Sequence, residues 1–238
     1  MQLADILASL FPDGHSIKTD HGLLYGSALL SDGQQALVVG VSDRAAVGVD
    51  QASLLSRHIL DDHSGTGPIL VIVDSDSQMM SKRDELLGLN EFLAHLAKCL
   101  IFADLHGRLT IGILYGHTAA GAFLATALAT RVLVALPGAE PAVMDLASMS
   151  KVTKLSIEIL QEKAKTTAIF APGLDNLAKT GAVHFVWNER ESLASQLSAL
   201  LADLPDAVDK RDLLGFERHG RTKAAEIAER VYAIARAS

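Results

Sequence analysis

ILVIV at residues 69–73, LTIGILY at 109–115 and RVLVAL at 131–136 decide the fold. Each is a short apolar run of strand length with no polar alternation, as expected of strands buried on both faces. Between the first two, residues 84–106 carry Leu86, Leu89, Leu93, Leu96 and Leu100 near helical spacing, and Gly107 is a suitable stop. Between the second and third, GHTAAGAF at 116–123 turns into a helix that runs to about residue 130. Strand, turn and helix recur, which predicts an α/β fold with a mainly parallel sheet and flanking helices. The most apolar stretch, 119–139, contains Arg131 and Pro137. It reads as a buried helix followed by a buried strand, not as a membrane span.

Upstream, LLYGSALL (23–30) and QALVVGV (35–41) flank Ser31-Asp32-Gly33-Gln34, a hairpin signal. Residues 50–61 read as a helix with Leu54, Leu55, His58 and Ile59 on one side, and SGTGP breaks the chain after it. The N-terminus, with Asp5 inside an apolar stretch and no basic lead, reads as a short helix rather than a signal peptide. Downstream, helices are expected over 154–164, 171–181, 189–203 and 221–236, with a short strand HFVW at 184–187.

Hydrophobic residues make up 49% and charged residues 21% of 238, as in an ordinary globular protein, so 1–238 reads as one domain. Aromatics are only 5%, so Ala, Leu and Val fill most of the core. The net charge of -7, with no basic run, argues against nucleic acid and anionic membrane as partners. A single cysteine, Cys99, excludes an intrachain disulfide and fits a reducing cytoplasm. Inside the leucine-rich helix it reads as a buried structural thiol.

Several chemistries lack their motifs. Gly116 to Gly121 has Walker A glycine spacing but continues Ala122-Phe123, without the lysine and hydroxyl that a nucleotide triphosphatase needs. No G-x-G-x-x-G, G-x-S-x-G or H-E-x-x-H occurs. The pair His58 and His63 reads as ordinary surface or core histidine, and no metal site is expected.

Two turns remain, DSDSQ (74–78) and YGHTAAGAF (115–123), each expected between a buried strand and a helix. A helix start presents N–H groups with no partner inside the helix, and its dipole favours negative charge. Two such turns side by side would make an oxyanion hole suited to a thioester carbonyl becoming an enolate. The simpler reading of 116–122 is that small residues allow tight strand–helix packing.

The segments SKRDELLGLNEFLAHLAKC (81–99), LPGAEPAVMDLASMSKVTK (136–154), APGLDNLAKTGAVHFVW (171–187) and SDGQQALVVGVSDRAAVGVDQA (31–52) resemble the γ subunits of biotin-independent malonate decarboxylase. That family is similar to acetyl-CoA carboxylase carboxyltransferase subunits. The resemblance runs from about Gly26 to about Trp187 and implies a crotonase/ClpP-like spiral of ββα units. It also implies a homologous β subunit as partner, with the active site between the two. A malonyl thioester on the CoA-like prosthetic arm of an acyl carrier protein would lose carbon dioxide, with no cofactor bound by this chain itself.

On that resemblance the amides of Gly121 and Ala122 are the first donor candidates. Ser77 and Gln78 come second, Ala120 lines the approach of the arm, and His117 is the candidate proton donor. The chain departs from the family where Ala120-Gly121-Ala122 stands for an expected Ser-Gly-Gly, Ser77 for a glycine, and Met144-Asp145-Leu146-Ala147 for Met-Gly-Leu-Pro. Alanine and serine still donate through the backbone, although an added Cβ restricts its shape. Two other readings stand beside this one: a non-catalytic assembly subunit of the same complex, and a biotin-dependent carboxyltransferase subunit.

Overall fold

A computed structural model describes residues 1–62, 65–168, 172–205 and 208–237. His63 of the histidine pair, Ser64 of the chain break and Ala171 at the start of the expected 171–181 helix lie outside them. The amphipathic start is α1 (Leu3–Leu10), followed by the edge strand β1 (Lys18–Asp20). The hairpin forms as read, from β2 (Leu23–Leu29) and β3 (Gln35–Val47), paired antiparallel. After α2 (Val49–Asp61) comes β4 (Ile69–Gln78), parallel to β3.

DSDSQ is therefore not a turn. The strand carries on through it, with Gln78 in register with Val47 and the Met79 N–H donating to the Val47 carbonyl at 2.9 Å. The helix expected over 84–106 is two, α3 (Lys82–Leu87) and α4 (Leu89–Leu105). Gly88 breaks it by adopting a left-handed conformation, φ 84°, which only glycine takes at little cost.

Next come β5 (Thr110–Leu114), β6 (His117–Ala119), α5 (Ala120–Ala125) and a 3-10 turn at Ala127–Ala129. The helix expected from 116 to about 130 is thus only six residues long and is preceded by a short strand. The chain continues through β7 (Val132–Ala135), β8 (Glu140–Ala142), α6 (Leu146–Thr153), α7 (Ile157–Thr166), α8 (Leu174–Lys179), β9 (Phe185–Val186), α9 (Leu193–Ala202), α10 (Arg211–Glu217) and α11 (Thr222–Ala237). Helices α6 and α10 were not expected from the sequence.

The large sheet has the order β1-β2-β3-β4-β5-β7-β9, parallel from β3 onward. A small parallel sheet joins β6 to β8. The units β5-β6-α5 and β7-β8-α6 each send a strand to the large sheet, a strand to the small one, and then a helix. This is the expected spiral of ββα units.

Alternation along the strands divides the core. Ile69, Val71 and Val73 face α2, α4 and α5, while Leu70 and Ile72 face α1 and α9. Helices on both faces explain why the central strands are apolar throughout. Among the described residues no helix is long and apolar enough to cross a membrane.

Candidate functional site

At the carboxyl end of the sheet the chain leaves β5 after Leu114, which still pairs with Val73. The backbone ladder stops there, and side chains take over. The Asp74 carboxylate accepts the His117 N–H at 2.9 Å, the Ser75 and Thr118 hydroxyls share a buried hydrogen bond of 2.8 Å, and the Gln78 side-chain carbonyl accepts the Gly121 N–H at 2.9 Å. All three rungs join residues 43 apart. They stitch 74–78 to 117–121 where the strands diverge. Polar residues are needed for this, which is why the end of β4 looks like a turn in the sequence.

The two segments chosen from the sequence are thus brought together. Gly121 lies against Gln78: a Cβ added there would stand 3.0 Å from Leu93 Cδ1 and 3.2 Å from Gln78 Oε1. Ala122 is fully buried, and Ala120 holds a left-handed φ of 48° that costs an alanine roughly 1–2 kcal/mol. The Ser77 hydroxyl donates to the Gln78 carbonyl at 3.2 Å. His117 sits on β6 opposite Glu140 of β8, its Nδ1 3.9 Å from the Glu140 carboxylate. Burial, reinforced by Asp74 and Asp43, pushes the Tyr115 phenol up, so it stays neutral beside these acids.

Asp74, Ser75 and Thr118 were missed in the sequence. The available signal was a buried hydroxyl or carboxylate directly after an apolar strand, where an unpaired polar group would be costly. The buried acid Asp84 has a structural task, accepting the Val49 N–H at 2.8 Å at the start of α2. Cys99 is buried, as expected, 3.6 Å from His95 Nε2, and burial raises its thiol pKa. Among the described residues no group of three or more metal-ligating side chains comes together.

A spiral of ββα units, with a small-residue helix start laid against the end of the neighbouring strand, defines a crotonase-type α/β protein. The sequence profile of the malonate decarboxylase gamma subunit family matches residues 42–235, and the chain belongs to that family. This match extends well past the segments that carried the resemblance, into the C-terminal helices. A curated relative, the malonyl-S-ACP:biotin-protein carboxyltransferase MADD of Malonomonas rubra, is 33% identical over 140 residues. The match takes in 58% of this chain, and the chain spans about half (48%) of that relative's length.

Among solved structures, a Pseudomonas malonate decarboxylase hetero-tetramer in complex with coenzyme A is similar at 26% identity and TM-score 0.75, over 95% of this chain and 97% of that one. The Pseudomonas MdcD-MdcE hetero-dimer is similar at 25% identity and TM-score 0.72, over 95% and 96%.

Proposed function

We propose that this chain works as the γ subunit of a malonate decarboxylase complex, together with a homologous β subunit and an acyl carrier protein, in the cytoplasm. The observation that carries the reading is the family match over 42–235, on a fold that lays the 120–122 turn against the end of β4. The substrate is a malonyl thioester on the carrier's CoA-like arm. Loss of carbon dioxide moves an electron pair onto the thioester carbonyl, giving an enolate. N–H donors fixed in place stabilise that oxygen more in the transition state than in the ground state, so the barrier falls.

On this reading the Gly121 and Ala122 amides are the first donors, Ser77 and Gln78 support them, and Ala120 keeps the approach open. His117 delivers the proton to the α carbon, with the Glu140 carboxylate 3.9 Å from its Nδ1. The product is the acetyl thioester. The reaction is that of a carboxy-lyase, and neither metal nor flavin has a role in it.

One observation favours the second reading, an assembly subunit. The Gly121 N–H is already held by Gln78, so a thioester oxygen must displace an internal acceptor to use it. The similarity to a biotin-protein carboxyltransferase supports the third.

Co-purification with a candidate β subunit tests the partnership. In the assembled complex, Gly121→Val separates catalysis from assembly: lost turnover with intact binding supports donation from this turn, and full turnover supports the assembly role. Inhibition by avidin would instead identify the biotin-dependent carboxyltransferase.

A further inference from the structure

The opposite end of the sheet holds a cleft of about 660 Å³ between the end of α4, the starts of β7 and β9, and α10. Its volume is within the range of small-molecule sites. Ile101, Leu105, Phe185 and Leu214 form an apolar wall, and Arg131 and His184 bring polar groups to the same space.

The cleft is held in shape by its own hydrogen bonds. Arg218 donates to the carbonyls of Ala178, Val183 and His184 at 2.7–2.8 Å, and Arg211 donates to the Leu128 carbonyl at 3.1 Å. Gly181 and Gly215 let α10 close on the loop before β9. A Cβ at either would stand 2.0–2.2 Å from a backbone oxygen, that of Arg211 or Thr180.

Among the described residues, two donor groups inside this frame are left over. His184 Nδ1 accepts the Leu133 N–H at 3.1 Å, so the ring proton of the neutral imidazole is on Nε2. Burial, together with Arg211 and Arg218, lowers the pKa to about 4 and keeps the ring neutral. Arg131 engages Asp104 through Nε at 2.7 Å, and among the described residues its terminal nitrogens have no partner. The acids on the lining are Asp104, which is paired with Arg131, Asp209, which is paired with Arg211, and Glu217.

We infer that this cleft is a second binding site, for a small organic carboxylate with an aliphatic tail. The carboxylate accepts from Arg131 and His184, and the tail lies along the apolar wall.

The test is calorimetric titration of the full chain with sodium hexanoate, 1-hexanol and sodium acetate. Hexanoate should bind with one-to-one stoichiometry, and hexanol and acetate roughly tenfold or more weakly, because one lacks the charge and the other the tail. Arg131→Gln should weaken hexanoate by a similar factor. Should Arg131→Gln unfold, Leu213→Trp at the exposed rim, expected to fill the mouth, and His184→Asn carry the test. The inference is overturned if hexanoate gives no heat at millimolar concentration, if hexanol binds equally well, or if folded variants bind as the wild type does.

Discussion

The two ends of the large sheet use the same materials in opposite ways. At the carboxyl end, Asp74 and Gln78 occupy the backbone donors of His117 and Gly121. At the amino end, backbone carbonyls occupy the arginines that build the cleft, and among the described residues His184 Nε2 and the Arg131 terminal nitrogens remain. A donor serves a ligand only if the fold has not already satisfied it, or if displacing the internal acceptor costs less than the ligand returns. By this rule the turn at 120–122 works only against competition from Gln78.

Gly121→Val should have the largest effect on this contrast. Its side chain meets Leu93 and Gln78 and moves a donor, so turnover of the assembled complex should fall about a hundredfold. Melting temperature and β-subunit binding, measured on the same sample, separate this from misfolding. Gln78→Ala removes the competitor. If the Gly121 N–H serves the thioester in the transition state, kcat and kcat/KM should rise several-fold, within the roughly 0.5–1.5 kcal/mol of one hydrogen bond. A lower melting temperature with unchanged kinetics would make Gln78 a strut only.

At the other end, the His184 pKa is depressed to about 4 from 6.5. Its contribution to stability is complete above the unfolded value and is lost as pH falls toward the folded one. Melting temperature should therefore fall between about pH 6.5 and 4, and His184→Asn, which keeps an acceptor for Leu133, should flatten that dependence. The smallest effect belongs to Ala120→Gly. Relief of a left-handed alanine outweighs the glycine's extra unfolded entropy by at most about 1 kcal/mol, read as a slight rise in denaturation midpoint.

The central strands were legible because burial on both faces leaves a continuous apolar run, as in ILVIV. The break at Gly88 was hidden by leucines that keep helical spacing across it. The end of β4 was hidden because its side chains form rungs instead of packing, and polar residues look the same in a rung and in a turn. Helix α10 was not apparent because Gly215 interrupts a short segment. Only the fold shows why glycine is there: the backbone of Thr180 presses against it. The candidate site was legible as a pair of segments, because each follows an apolar strand and is rich in small or polar residues. That Gln78 and Gly121 touch depends on a pairing of residues 43 apart, which no local pattern carries.

The most direct test is carbon dioxide release from malonyl-carrier protein by this chain alone, by the candidate β subunit alone, and by the two together. Release by the pair, with this chain alone at background, is the predicted result. Release by this chain alone above background, or no release by a properly assembled pair, would contradict the account.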